Sequence, residues 1–129
     1  LALLAVTFAR WAAPDAPAEQ GADVLASCEL RFEDGPAGSV LVFDADANVL
    51  LSTFEAGSGS FVRGVLRSMT RERRSMEEGP EQPFRLARHS DGALTIRDEA
   101  TGRMIVLNAF GPTNAGVFAS LLDASLAGS

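Results

Sequence analysis

Asp44, Asp46, Asn48 and Glu55 stand where a calcium loop carries its first, third, fifth and twelfth residues, and oxygen ligands at that spacing would hold a hard divalent cation. The sixth place holds Val49 instead of the glycine such a loop needs for its bend, and residues 50–54 read as a strand where the loop should continue. A hairpin turn fits better. His89 is the single histidine and Cys28 the single cysteine, so neither a multi-imidazole site nor a thiolate cage can be assembled. As a general base, His89 would need an orienting acid and an oxyanion hole, and the chain has no GxSxG turn. Next to Ser90-Asp91-Gly92 it reads as an exposed turn residue. The acid pairs Asp44 with Asp46 and Asp98 with Glu99 also fall on turns, without a hydrolase pocket around them.

Gly57-Ser58-Gly59-Ser60 could offer backbone N–H groups to a phosphate at a helix start. A P-loop would add a lysine, and the chain has none. Leu25-Ala26-Ser27-Cys28 has the look of a lipoprotein acylation box, but a polar stretch precedes it where an apolar core should stand. The expectation is a protein that catalyses nothing, holds no metal and binds no cofactor directly.

Recognition chemistry is better represented. In segment 61–76, a helical pitch gathers Arg63, Arg67, Arg71 and Arg74 on the face opposite Phe61, Val65 and Met69. Such a stripe is either the solvated side of a core helix or a docking surface for acidic protein or anionic headgroups. Further on, Phe110, Gly111, Pro112, Thr113 and Asn114 form a turn that either anchors Phe110 in the core or presents an aromatic and an amide to a partner. The formal charge of −6 repels a phosphate backbone, so nucleic acid is not an expected partner.

A duplication positions these groups. Sliding the chain by 54 positions lays Leu30 on Phe84 and runs without a gap to Ser60 on Asn114. Arg31/Arg85, Gly38/Gly92, Asp44/Asp98 and Gly57/Gly111 are identical, and apolar positions coincide along the runs between them. Each unit shows three alternating runs separated by turns, a three-stranded meander, and then changes to helical periodicity. Ser58 or Ser60 is placed to cap the first helix, with Gly79 and Pro80 ending it, while Pro112 with Thr113 or Asn114 opens the second. The fold class expected is α+β, a tandem βββα repeat (30–78 and 84–126) with antiparallel sheet and two packing helices. Whether the strands make one sheet, a sandwich or a partly closed barrel is left open.

Residues 1–9 carry no charge and are followed by Arg10 and Trp11, a pairing suited to the membrane–water interface. As a helix they would rise ~14 Å, too little to cross a bilayer, so residues 1–12 read as the end of a transmembrane helix. The apolar part of a signal peptide and a short buried helix are the other readings. Residues 13–24, with two prolines after Ala13, read as an extended tether to a globular domain over 25–126.

The stretches FVRGVLRSMTRERR, GPEQPFRLARHSDGALTIRDEATGR and NAFGPTNAGVF resemble the photosynthetic complex assembly proteins of purple bacteria, the PuhC type. The resemblance covers nearly the whole chain, and the FVRG…RERR helix and the AFGPTN turn are its most specific parts. It implies a short cytoplasmic segment, a single pass through the inner (intracytoplasmic) membrane and a periplasmic domain. It also implies a non-enzymatic part in assembling or stabilising the reaction centre with its LH1 antenna. The expected partners are then LH1 polypeptides, reaction-centre subunits and, through the Trp11 end, membrane lipid. Bacteriochlorophyll would lie in the partner complex. This chain departs from that layout at its front, where the cytoplasmic segment and most of the span are missing. A membrane-tethered envelope binding domain unrelated to photosynthesis is the other reading of the same features.

Overall fold

The computed structural model describes residues 22–128; the expected membrane end, Trp11 and most of the tether lie outside the described residues. Three strands, β1 (Val24–Asp34), β2 (Val40–Asp44) and β3 (Val49–Phe54), lead into helix α1 (Ser60–Ser75). The pattern then repeats as β4 (Phe84–His89), β5 (Leu94–Asp98), β6 (Met104–Val106) and helix α2 (Pro112–Ala127). The first strand begins at Val24, so it takes in the last residue of the expected tether.

All six strands join one antiparallel sheet in the order β3-β2-β1-β4-β5-β6, which settles the choice between sheet, sandwich and barrel. The repeat is visible in the register. Leu30 faces Asp44 as Phe84 faces Asp98, and Phe32 faces Val42 as Leu86 faces Ile96. At the centre, Leu30 lies directly opposite Phe84, the residue that the 54-position shift lays upon it, so the pseudo-two-fold axis passes through this pair. The duplicated turns also share an unusual backbone. Asn48 and its counterpart Gly102 both have positive φ, as do Gly38/Gly92 and Gly57/Gly111, which short polar or side-chain-free residues tolerate at little cost.

Alternation along the strands sends Leu30, Val42, Leu86 and Ile96 to one face, where they are 0–1% exposed. Both helices cover that face: Val62, Val65 and Met69 of α1 and Phe118, Leu121 and Leu122 of α2 complete the core. The helix ends differ from expectation. No side chain caps α1, whose N-cap is Gly59 in the left-handed region; a Cβ there would come within 2.7 Å of the Phe54 ring, so this position of the GSGS run requires glycine. Ser58 Oγ instead donates to the carbonyl of Glu55. α1 stops at Ser75, short of Gly79: Glu77 takes φ +58, and the N–H groups of Glu77 and Glu78 turn back to the carbonyls of Arg74 and Arg73. α2 opens at Pro112 as expected, but neither Thr113 nor Asn114 caps it; its N-cap is Gly111.

The duplication breaks in one place. Residues 24–30 pair with β4, but the corresponding segment before β4, with Gly79, Pro80 and Pro83, forms no strand. Proline has no N–H to give to a ladder. Beyond Leu30, β1 is therefore paired only with β2.

Candidate docking site

The four arginines expected to act as one stripe divide into two groups. Arg63 turns back on its own loop: Nε donates to Ser58 O at 2.9 Å, and Nη2 donates to the carbonyls of Phe54 and Glu55 at 3.0 and 2.9 Å. Its job is to tie the loop between β3 and α1. Arg67, Arg71 and Arg74 are exposed, and among the described residues none of the three has an ion-pair partner. They line up along the solvent side of α1 because Val62, Val65 and Met69 commit the other side to the core.

Arg73 lies between them in sequence and has a different fate. Its side chain is 5% exposed and forms a two-pronged ion pair with Asp98, itself 0% exposed, with both N···O distances 2.8 Å. Nη2 also donates to Gln82 O at 2.7 Å, and the guanidinium lies 4.2 Å from the centre of the Phe84 ring. The repeat explains the acid: Asp44, the counterpart of Asp98, is also buried and accepts a hydrogen bond from Ser125 Oγ of α2. Each unit's turn aspartate is thus gripped by the other unit's helix. Both also hold their own hairpin turns, Asp44 through the N–H groups of Asp46 and Ala47 and Asp98 through that of Ala100. The sequence marks these aspartates only as turn residues, since nothing local distinguishes Arg73 from its neighbours.

The Ser125 hydroxyl, then the Ala47 and Asp46 amides, hold the Asp44 carboxyl below its ordinary range against the opposing effect of burial. A carboxylate whose folded value is depressed contributes stability above its unfolded value near ~4, and this is lost as pH falls through the folded value. Asp44→Asn should therefore be less stable at neutral pH and lose less on acidification below about pH 4, as urea unfolding across that range would show. An acid limb of the same steepness in both proteins would contradict the assignment.

Cys28, beside Ser125, is buried, and burial pushes its thiol up to about 11. It stays protonated at neutral pH and is a poor nucleophile. His89 departs from the expected exposed turn residue. It is 4% exposed on the sheet face away from the helices, its Nε2 sits 2.9 Å from Thr95 Oγ1, and its Nδ1 has no partner among the described residues. It is buried because Val24 of the long β1 lies opposite it.

Phe110 is 51% exposed, which removes the core-anchor reading. It ends a short 3-10 turn (Leu107–Phe110) whose Asn108 reaches across to β5 and its turn, accepting from Leu94 N–H at 2.7 Å and donating to Gly92 O at 3.2 Å. Asn114 Nδ2 donates to Phe110 O at 2.9 Å, and Gly111 between them takes φ +95. The Phe110 ring leans on Phe61 of α1 with centroids 5.3 Å apart. The turn is therefore held rigid with its aromatic outward. Pro112 and Thr113 are exposed beside it.

Among the described residues no group of three or more His, Cys, Asp or Glu could hold a metal ion, and no helix is long and apolar enough to cross a membrane. Comparison with known proteins gives the arrangement a family. No solved structure matches the chain. A protein of Rhodobacter capsulatus, described as an uncharacterized 17.4 kDa protein in the 5′ region of puhA, is 31% identical over 100 residues, covering 78% of this chain and 60% of that relative. The sequence profile described as photosynthetic complex reorganisation protein PuhC matches residues 25–125, which takes in the whole duplicated domain but its last residues. This chain therefore belongs to the PuhC family of photosynthetic complex reorganisation proteins.

Proposed function

We propose that the protein is a non-enzymatic, membrane-anchored factor that assembles or stabilises the reaction centre–LH1 complex through protein–protein contacts. Family membership supports the photosynthetic role. The observation that carries the docking mechanism is the exposed row Arg67, Arg71 and Arg74, without ion-pair partners among the described residues, on a chain whose formal charge is −6. Positive charge concentrated on one helix of an acidic protein orients that helix toward an acidic partner. The rigid turn from Phe110 to Asn114 adds an aromatic anchor.

In this reading the N-terminal segment with Trp11 holds the chain in the inner membrane and the domain lies in the periplasm. There it meets LH1 polypeptides and reaction-centre subunits. Tethering raises the local concentration, so contacts that would be weak in solution suffice. Bacteriochlorophyll belongs to the partner complex, and this chain supplies no ligand to it.

Reversing charge with Arg67→Glu and Arg71→Glu should reduce co-purification with the reaction centre–LH1 complex by roughly tenfold, as two attractive contacts become repulsive. Thermal unfolding of the variant should stay near that of the parent, since both side chains are exposed. Undiminished recovery of the complex would defeat the docking mechanism. Copy number decides the photosynthetic role itself: in membranes with varied reaction-centre content the protein should rise and fall with the reaction centre, whereas an unrelated envelope-binding domain would not.

A further inference from the structure

We infer that the protein captures an acidic, extended peptide segment of its partner by adding it as a strand to the free edge of β1. The inference rests on the docking function proposed above and specifies how the contact is made. It begins with the break in the duplication. Glu29 O accepts from Ala45 N–H, so in the β1–β2 ladder the odd-numbered residues of β1 point their backbone groups at β2. Those of Phe32 and Asp34 point the other way, toward the place where the segment before β4 would have paired. That segment carries Pro80 and Pro83, the ladder ends at Leu30–Phe84, and no backbone partner for Phe32 or Asp34 on that side occurs among the described residues. A half-length edge is thus open in the middle of a six-stranded sheet.

Open edges bind extended chains through main-chain hydrogen bonds, and the surroundings select the sequence. Here the edge forms one wall of a cleft of about 420 Å³, between β1, α1 and residues Pro80 and Gln82. Its floor is apolar, with Leu30, Leu66 and Phe84. Five arginines but only two acids, Glu33 and Asp34, line it. Glu33 is engaged by Arg31 at 2.9 Å, and Arg73 is neutralised by Asp98. Arg67 and Arg74 remain uncompensated beside the edge. The surplus charge selects an acidic strand, and the floor selects apolar residues at every second position. A basic strand would meet Arg67 and Arg74 and be rejected.

The test uses the intact protein in detergent micelles and a fluorescein-labelled ten-residue peptide that alternates glutamate with valine and threonine. Its anisotropy should rise on titration. A copy methylated on alternate backbone nitrogens, with identical side chains, should bind at least tenfold more weakly, and so should a copy with lysine for glutamate. Asp34→Pro removes an N–H that faces the cleft and leaves the bonds to β2 in place; it should weaken the acidic peptide at least tenfold. Bound peptide should slow hydrogen exchange at the amides of Phe32 and Asp34.

Equal binding of the methylated and unmethylated acidic peptides overturns strand addition, and that comparison does not depend on how Asp34→Pro folds. Absence of peptide binding overturns it as well. The assembly reading is judged separately. If recovery of the photosynthetic complex falls for the Arg67/Arg71 reversal but not for Asp34→Pro, strand addition fails and assembly stands. If the peptide binds as expected but neither variant changes recovery, strand addition stands and the assembly role fails.

Discussion

Arg73→Met should lower the unfolding free energy by about 3–5 kcal/mol, because it leaves the Asp98 carboxylate, 0% exposed, without the cation that accompanies it. The arginine's three hydrogen bonds, two to Asp98 and one to Gln82 O, disappear together. Among the described residues, only the Ala100 amide then remains on the acid, and one neutral donor does not offset a buried charge. Methionine fills the space of the arginine stem against Phe84, so cavity formation is a minor part of the loss. The double variant Arg73→Met/Asp98→Leu removes the charge as well and should recover about 2 kcal/mol of it, stopping short of the parent because the Gln82 contact stays lost and the Ala100 contact goes with the acid. Chemical denaturation of the parent, Arg73→Met, Asp98→Leu and the double variant measures this directly. Additive losses in the double variant would show that the pair acts as two unrelated contacts. The docking row is distinct from this brace. Arg67, Arg71 and Arg74 face solvent, and replacing them should change stability by only about 0.5 kcal/mol each.

Arg73 also shows where reading the sequence stops short. Five arginines lie between positions 63 and 74, and helical pitch sorts them only by direction. It does not reveal that Arg63 bends back to three carbonyls or that Arg73 meets an acid 25 positions away. Those partners are set by how the two units pack. The units themselves were legible because duplication writes the same signal twice: turn residues recur at one spacing, and alternation in one unit supports alternation in the other. Asp44 and Asp98 were visible as a repeated pair of turn residues, and their second role, bonding to the opposite helix, arises from the two-fold packing. His89 was misplaced for a similar reason. Its neighbours Ser90, Asp91 and Gly92 mark a turn, but Val24 at the start of an unusually long β1 covers it. The free edge of β1 was likewise invisible, since it exists only where one half fails to copy the other. Pro80 and Pro83 read locally as loop, and only the register shows which strand they leave unpaired.

The core makes the other large prediction. Phe118 is 0% exposed on α2 and meets the Phe61 ring edge-on, with centroids 5.8 Å apart and planes at 87°. Phe118→Ala removes a buried aromatic side chain from a well-packed layer and should cost about 3–5 kcal/mol, the sum of lost transfer energy and a cavity. A domain of this size has about 5–15 kcal/mol in all, and each kilocalorie is worth roughly 4–8 °C, so the melting temperature should fall by about 12–40 °C. Phe118→Leu keeps most of the volume and should cost under about 1.5 kcal/mol. The effect should extend to the surface, because Phe61 is shared: one side touches Phe118 and the other supports the exposed Phe110 ring. With Phe118 gone, Phe61 can relax into the cavity and Phe110 loses its backing. At a temperature where the variant is still folded, hydrogen exchange of the amides from Phe110 to Asn114 should therefore quicken more than at the β4–β5 turn, which lies outside this aromatic chain. Uniform acceleration at both places would mean that Phe118 stabilises the domain globally without bracing the docking turn.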